Sequence, residues 1–312
     1  MKSSWITDSR VVLVAGKGGV GSSTVAAALA LAAARQGANV LVISVDGRPG
    51  LGPLLGGRPL SGRDQVLRIV GSGRIRGRTI PPAQAFNDYL ELRGVNAMMR
   101  KAATSASLPA IAASTPGLEH LLVLGKIKEL DREKAADLIV VDCPPAGHAA
   151  AFLRAASALQ AVVASGPVRT QADEVAAMLA DRARCQGLLV TLPEVTPVNE
   201  VIELAYDIED RLGVSLAPLV VNACWQIGDR VMDPTPVAST AAGKRLSTSD
   251  CAALDAAATF GRARLRVQNE QLDRLREVLP LPLVTLRRFA TARFGLDELE
   301  IMADELEASV TS

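Results

Sequence analysis

Short apolar runs alternate with longer segments of helical period along most of the chain. The runs are rich in Val, Ile and Leu, and several are apolar throughout instead of alternating with polar residues. Such runs are typical of strands that helices cover on both faces. We therefore predict an α/β fold with a doubly wound, mainly parallel sheet. The predicted strands are Val11–Ala15, Asn39–Val45, Leu138–Asp142, Ala161–Ser165, Leu188–Leu192, Leu216–Asn222 and Leu283–Leu286.

Two regions interrupt this alternation. Residues 47–131 begin Gly- and Arg-rich and then become helical, which predicts a mixed helical insertion with an edge strand or hairpin around Arg74–Ile80. Residues 228–250 are polar and rich in Pro, Ser and Thr, which predicts a mobile surface loop. We expect a helix, a strand and a helix over 251–312, and a single domain over residues 1–312.

Composition narrows the function classes. Hydrophobic residues make up 49% of the chain and aromatic residues 3%, so the core is expected to consist of Ala, Val and Leu. A net charge of +1 gives no reason to expect nucleic acid as a partner. The four cysteines lie far apart in the sequence, so we expect reduced thiols that pack as small apolar residues. The apolar helix from Val25 to Ala34 is too short to span a bilayer. We expect a cytoplasmic protein without an integral membrane segment.

A glycine-rich turn joins the first predicted strand to the first predicted helix. The spacing Gly16-x-Gly18-x-x-Gly21 fits a dinucleotide-binding loop as well as a phosphate-binding loop, and Asp46 ends the next strand, where a ribose-binding acid would lie. In both cases main-chain N–H groups and the helix N-terminus would bind an anion. A glycine turn without function is the third alternative.

Two features favour a nucleoside triphosphate. Lys17 lies inside the loop, where a pyrophosphate-binding turn needs no cation. The segment LIVVDCPPAGHAAAFL, residues 138–153, begins with a predicted buried strand whose last residue is Asp142. The end of such a strand is a suitable position for a carboxylate near magnesium. The Pro/Gly turn with His148 that follows is a candidate switch. The alternative for this turn is a plain strand-to-helix connection in which His148 caps the helix.

Several segments together resemble the ArsA-type ATPases. They are GKGGVG, ISVDGRPGLG, STPGLEHLLVLGKIKEL, VVDCPPAGHAAAFLR, LLVTLPEVTPVNEVIELA and PLVVNAC, which run in the family's order from residue 11 to about 225. This family comprises the arsenite-pump and tail-anchored-protein-targeting ATPases, within the deviant-phosphate-loop class of MinD and nitrogenase iron protein. The glycine loop alone is not specific, and the last 60 residues match only loosely.

The resemblance implies a role for each matching residue. Lys17 would be the deviant lysine, which in the family reaches the nucleotide of the other subunit across a dimer interface. Asp46 would orient the attacking water, and Asp142 would lie near the metal. The nucleotide, Mg-ATP or Mg-ADP, would contact Gly16, Gly18, Gly19, Val20, Gly21, Ser22, Ser23 and Thr24.

Three further roles follow from the same resemblance. Ser23 would coordinate Mg²⁺ through its hydroxyl. His148 would lie in switch II and relay the state of the nucleotide. Asn222, after its apolar strand, would contact the edge of the adenine.

The chain also departs from the family pattern. Ser22 stands where the family has its phosphate-loop lysine, so both affinity and charge stabilisation should suffer. Arg48, in switch I, could supply the missing charge or could be a solvated loop residue. The C-x-x-C zinc pair of the targeting branch and its long Met-rich insertion have no counterpart here. Residues 86–113 could still form a hydrophobic client surface, while clustered thiols for arsenite are missing.

These observations leave three classes of function open. The first is a nucleotide-binding subunit with a degenerate loop, which pairs as a heterodimer with an intact paralogous ATPase and lends it Lys17. The second is a self-sufficient but slow ATPase, in a homodimer, that acts as a nucleotide switch for a protein client. The third is a non-catalytic scaffold, and a dinucleotide-binding oxidoreductase is the most distant alternative.

Overall fold

The structure, a computed structural model, describes residues 5–47, 49–102, 115–226, 234–243 and 245–309. A 3₁₀ turn, Trp5–Thr7, precedes the first strand. The strands are β1 Val11–Gly16, β2 Asn39–Ser44, β3 Gln65–Val70, β4 Gly73–Thr79, β5 Leu138–Asp142, β6 Cys185–Thr191, β7 Leu219–Cys224 and β8 Leu283–Arg287. The helices are α1 Ser22–Arg35, α2 Leu51–Leu54, α3 Pro82–Leu92, α4 Ala97–Ala102, α5 Leu118–Arg132, α6 Ala146–Val162, α7 Pro167–Ala180, α8 Val195–Leu212, α9 Pro234–Ala242, α10 Thr248–Val278 and α11 Leu296–Ala308.

All eight strands form one sheet in the order β3-β4-β2-β5-β1-β6-β7-β8. Every neighbouring pair is parallel except β3 with β4, which form an antiparallel hairpin at one edge. The predicted α/β fold with a mainly parallel sheet is confirmed, and so is the hairpin around Arg74–Ile80. Because β1 lies between β5 and β6, the loop that follows β1 meets the carboxyl ends of both neighbours.

Helices cover both faces of the sheet, as the apolar strands require. Helix α1 packs against α11 on one face, and its alanines and leucines from Val25 to Ala34 are all buried. The other face carries α5, α6, α7, α8 and α10, whose apolar residues form a second core with Phe152 as its largest buried side chain. Small residues let α1 lie close to the sheet, which fixes the start of this helix relative to β1.

A buried carboxylate joins three elements at the amino ends of the central strands. Asp131, in the last turn of α5, accepts hydrogen bonds from Nε of Arg10 and from Nε of Arg184, both at 2.8 Å. Its side chain is 0% exposed, while both arginines reach solvent. The two arginines directly precede β1 and β6, so the carboxylate fixes α5 against both strands.

Two expectations from the sequence are wrong. Residues Ala161–Ser165 do not form a strand: Val162 ends α6 and its side chain is 77% exposed. The helix of the Ala-rich segment before this run continues into it. A further strand would have no place beside β1, because β5 and β6 already flank it. The second wrong expectation is the loop 228–250, since this segment contains helix α9 and the start of α10. Proline is tolerated in the first turn of a helix, and alanine favours helix formation. Residues 228–233 and 244 of that segment lie outside the described residues.

Candidate nucleotide-binding site

The loop after β1 turns sharply into α1, and two glycines make this turn possible. A side chain at Gly16 would place its first carbon 2.5 Å from the carbonyl oxygen of Val190 on β6. Gly21 precedes the first residue of α1 with φ +87°, a left-handed conformation that favours glycine. A side chain there would lie 2.4 Å from Nδ2 of Asn222. The turn therefore brings the main chain of residues 16–21 close to β6 and β7.

The first turn of α1 presents its N–H groups to the space above the loop. Ser22, Ser23 and Thr24 form this turn, and no acidic side chain lies in it. Unpaired N–H groups and the positive end of the helix dipole favour an anion at such a place. Ser22 is buried, with 6% of its surface exposed, and carries no charge.

A hydroxyl and a carboxylate meet directly beside this turn. Oγ–H of Ser23 donates a hydrogen bond of 2.7 Å to Oδ2 of Asp142, which ends β5 and is 2% exposed. Both groups are hard oxygen donors of the kind that Mg²⁺ prefers, so the residues present fit this ion. The described residues hold no group of three His, Cys, Asp or Glu side chains that could bind a metal alone. Magnesium in such sites is usually bound by one or two protein oxygens together with the phosphates.

The two segments predicted to act as switches lie next to each other at the same edge of the sheet. The N–H group of Val45 donates to the carbonyl oxygen of Asp142 at 3.2 Å, so Asp46 follows immediately beyond the end of β5. His148 lies in the first turn of α6, and its N–H group donates to the carbonyl oxygen of Pro145 at 2.7 Å. The side chains of Asp46 and His148 are both exposed. Arg48, the candidate for a replacement charge, lies outside the described residues.

Lys17 extends from the loop to helix α8. Its Nζ atom lies 2.6 Å from Oε1 of Glu200 on α8, and the two side chains are 39% and 36% exposed. This pair lines a cavity of about 570 Å³ between the loop, the first turn of α6 and helix α8. The sequence predicted a role for Lys17 but none for Glu200, which belongs to the segment PVNEV. The ion pair therefore keeps the ammonium group in the lining of this cavity.

A second cavity, of about 220 Å³, is lined by other residues of the loop. Gly19, Val20 and Gly21 line it from the loop, together with residues at or just after the ends of β6, β7 and β8 and residues of helix α10. Asn222, on β7, joins this strand to the loop: its Nδ2 donates to the carbonyl oxygen of Val20 at 2.8 Å. The carboxyl ends of the strands beside a phosphate loop are where the base of a nucleotide would lie. Apart from the loop residues and Asn222, the sequence predicted no role for the residues that line this cavity, among them Trp225, Gln268 and Arg288.

Burial also changes the pKa of two groups near the switch segments. Desolvation raises the pKa of the Cys143 thiol well above its usual value, and the nearby charge of Asp142 adds to the rise. Desolvation lowers the pKa of His120 on α5, with His148 adding to this effect while Glu119 and Asp46 oppose it. The imidazole of His120 packs edge-on against Phe152, with 5.7 Å between the ring centres. A buried thiol with a raised pKa is a poor nucleophile, so Cys143 belongs to the core.

Comparison with known proteins is consistent with this geometry. The family model for anion-transporting ATPases matches residues 9–172, just over half of the chain. ATPase BagA of Mycobacterium tuberculosis (strain ATCC 25618 / H37Rv) is 35% identical over 224 residues, which are 68% of this chain and 64% of that protein. The arsenical pump-driving ATPase of Escherichia coli is 29% identical over 68% of this chain and 34% of its own length. ATPase ASNA1 homolog 2 of Paramecium tetraurelia is 29% identical over 44% of this chain and 41% of its own length.

The aligned part of this chain therefore corresponds to less than two thirds of each of these relatives. Across the described residues, none of the helices is both long and apolar enough to cross a membrane. The similarity to ATPases supports a nucleotide-binding, ATPase-like function for the site around residues 16–24.

Proposed function

Since the chain belongs to the anion-transporting ATPase (ArsA ATPase) family, we propose that it binds Mg-ATP and Mg-ADP at the loop 16–24 and pairs with an intact family ATPase. In this pair it lends Lys17 to the nucleotide of the partner, while its own site hydrolyses ATP poorly. A cytoplasmic location, expected from the sequence, is part of the proposal.

The observation that carries nucleotide binding is the hydrogen bond between Ser23 and Asp142. It joins the first turn of α1 to the end of β5, directly above a helix N-terminus suited to phosphate. A dinucleotide-binding loop needs no such hydroxyl and carboxylate pair, because it holds a pyrophosphate without a metal. Magnesium, when bound, would neutralise phosphate charge; Ser23 and Asp142 would hold it on the protein side.

The observation that supports poor hydrolysis in cis is the chemistry of Ser22. Its short neutral side chain is buried in the first turn of α1 and cannot bring a positive charge to the β- and γ-phosphates. Removing one positioned group that stabilises transition-state charge typically costs about 10²–10³ in rate. Lys17 pairs instead with Glu200 on helix α8, in the neighbouring cavity.

The exposure of the Lys17–Glu200 pair supports a role for Lys17 in trans. More than a third of each side chain is in contact with solvent, so a second subunit could reach the ammonium group. In enzymes that transfer phosphoryl groups, a cation supplied by a neighbouring subunit is worth up to about 10³–10⁵ in turnover. A chain that keeps Lys17 and lacks the lysine at position 22 is suited to be the donating half of an asymmetric dimer.

A slow, self-sufficient ATPase that switches a protein client is the second candidate. The retained Ser23–Asp142 pair and the adjacent Asp46 favour it. Three exposed apolar side chains of α3 and α4, Leu92, Met98 and Met99, support a hydrophobic client, although residues 103–113 of the predicted client surface lie outside the described residues. In this case the dimer would be a homodimer, and a non-catalytic scaffold is the limiting case in which hydrolysis is lost.

Isothermal titration tests the proposal against the dinucleotide alternative. We expect saturable binding of ATP and ADP in the presence of Mg²⁺ and no saturable binding of NAD or NADH. Saturable NAD(H) binding with no response to ATP or ADP would contradict the proposal. Purification together with an intact family ATPase then separates the two candidates, since only the first requires a heterodimer.

A further inference from the structure

Trp225, Arg264 and Arg288 line the 220 Å³ cavity, and with Phe260 they form a row in which two arginines flank two aromatic rings. The guanidinium carbon of Arg288 lies 4.8 Å from the ring centre of Trp225, and the Phe260 ring meets Trp225 edge-on at 6.2 Å. The guanidinium carbon of Arg264 lies 5.7 Å from the centre of Phe260. We call this row, Arg288, Trp225, Phe260 and Arg264, the arginine–aromatic ladder.

Hydrogen bonds and helical spacing hold the ladder in place. Gln268 accepts from the N–H group of Trp225 at 2.7 Å and donates to its carbonyl oxygen at 3.2 Å, so one amide clamps both main-chain groups of Trp225. Phe260, Arg264 and Gln268 lie four residues apart on α10 and share one face of that helix. Trp225 follows β7 and Arg288 follows β8, so adjacent strands set the spacing of the cation and the indole.

The two side-chain amides of the cavity are already engaged with the main chain. Nδ2 of Asn222 donates to Val20, and its Oδ1 accepts from the N–H group of Ala223 at 2.8 Å. Gln268 likewise donates and accepts at Trp225. Strong discrimination between similar ligands requires polar groups that are left unpaired by the wrong ligand. Neither amide meets this condition, because each is already paired with the main chain.

We propose that this cavity binds a purine base by stacking on the arginine–aromatic ladder and discriminates only weakly between adenine and guanine. Stacking tolerates either base because every base has a π face, and arginine stacks on aromatic rings as well. The substrate class is therefore purine nucleotides in general, not adenine nucleotides alone. This inference rests on the proposed function, since it requires that the loop 16–24 holds the phosphates.

The tryptophan content of the chain allows a direct test. Trp5 and Trp225 are the only two tryptophans, so a Trp5→Phe variant reports Trp225 alone by fluorescence. We expect Mg-ATP and Mg-GTP to quench this fluorescence with dissociation constants within about tenfold of each other. Magnesium tripolyphosphate, which has no base, should compete with both nucleotides without quenching.

Substitutions in the ladder supply the matched control. Trp225→Ala should weaken both nucleotides by about 5- to 100-fold in calorimetry, the cost of one lost base stack, and leave tripolyphosphate binding unchanged. Trp225→Phe keeps a stacking ring and should bind both nucleotides within a few-fold of the natural protein. Arg288→Ala removes an exposed side chain and should weaken both nucleotides alike, which keeps the test informative if Trp225→Ala fails to fold.

Four results would overturn the inference. A preference for ATP over GTP above about 100-fold would show that the base edge is read by hydrogen bonds. If ATP binds in calorimetry but does not change the fluorescence of Trp225, the ladder is not used. If tripolyphosphate binds and the nucleotides do not, the cavity takes no base. Failure of all three ligands, tripolyphosphate included, would contradict the proposed function itself and this inference with it.

Discussion

Lys17 and Glu200 form an ion pair of 2.6 Å between the phosphate loop and helix α8, across 183 residues of sequence. Because both side chains are more than a third exposed, water and salt screen the pair, and it contributes only about 0–1 kcal/mol to stability. A phosphate of another subunit offers a stronger, charge-assisted partner. The pair can therefore open in favour of a nucleotide in trans at little energetic cost.

The first prediction concerns Lys17. Lys17→Ala should abolish stimulation of an intact partner's ATPase, while the complex still assembles, because the donated cation is lost. The measurement is the ATPase rate of the mixed complex, with size-exclusion chromatography to follow assembly. An unchanged stimulated rate would make Lys17 an ordinary loop residue.

Glu200→Gln is the matched control for Lys17. It removes the negative charge but keeps the size of the side chain, so Lys17 is released and not lost. We expect full stimulation of the partner and a change of less than about 1 kcal/mol in the free energy of unfolding. A loss of stimulation as large as that of Lys17→Ala would show that Glu200 itself is needed.

The second prediction concerns Ser22. Ser22→Lys should raise the chain's own turnover by about 10²–10³, because it restores a positioned positive charge near the phosphates. Ser22→Gln introduces an uncharged side chain nearly as long as that of lysine, and it should not raise the turnover. If the natural chain alone already turns over in the ordinary range of about 1–100 s⁻¹, the degenerate-site interpretation is wrong, and Arg48 becomes the first residue to test.

The third prediction concerns magnesium. Asp142→Asn keeps an oxygen that can accept from Ser23 but removes the carboxylate charge, so Mg²⁺ should bind the nucleotide complex about 10- to 100-fold more weakly. Titration of each protein with ATP, once with and once without Mg²⁺, measures this effect. The gain in ATP affinity on adding Mg²⁺ should be smaller for the variant than for the natural protein. Asp137→Asn, at an exposed acid just before β5, should leave that difference unchanged.

The fourth prediction concerns the buried carboxylate at the other end of the sheet. Asp131→Asn should lower the free energy of unfolding by about 1.5–3 kcal/mol, because the buried side chain loses its charge-assisted hydrogen bonds to Arg10 and Arg184. Asp273→Asn is the control: its pair with Arg276 is exposed and should contribute less than about 0.5 kcal/mol. Urea unfolding of the natural protein and the two variants measures these changes. Equal small losses in both variants would show that the contacts of Asp131 do not stabilise the fold.

The fifth prediction concerns pH. Because the pKa of His120 in the folded protein lies below its usual 6.5, the unfolded chain binds more protons as the pH falls through this region. The free energy of unfolding should therefore decrease as the pH falls from about 7 towards 5. His120→Gln should reduce this decrease, as measured by urea unfolding at several pH values. Identical pH dependence in the two proteins would rule out a contribution from His120.

Local patterns account for the parts of the molecule that were predictable. The apolar runs that became β1, β2 and β5 are buried strands, and a carboxylate at the end of such a run lies beside the phosphate loop because parallel strands end at one edge. The run Ala161–Ser165 has the same composition but ends a helix, since composition alone does not distinguish the two. The site residues that were missed make contacts with no sequence period: Gln268 meets Trp225 across 43 residues.

The two cavities beside the loop draw on different stretches of the chain. The residues proposed to act on phosphate, from Lys17 to His148, lie within the part matched by the family model, whereas the arginine–aromatic ladder lies between residues 225 and 288. On the proposal that the ladder holds the base, mutations that alter which base is accepted can accumulate there without touching the groups proposed to govern turnover. The choice of nucleotide and the rate of its hydrolysis would then evolve separately within one fold.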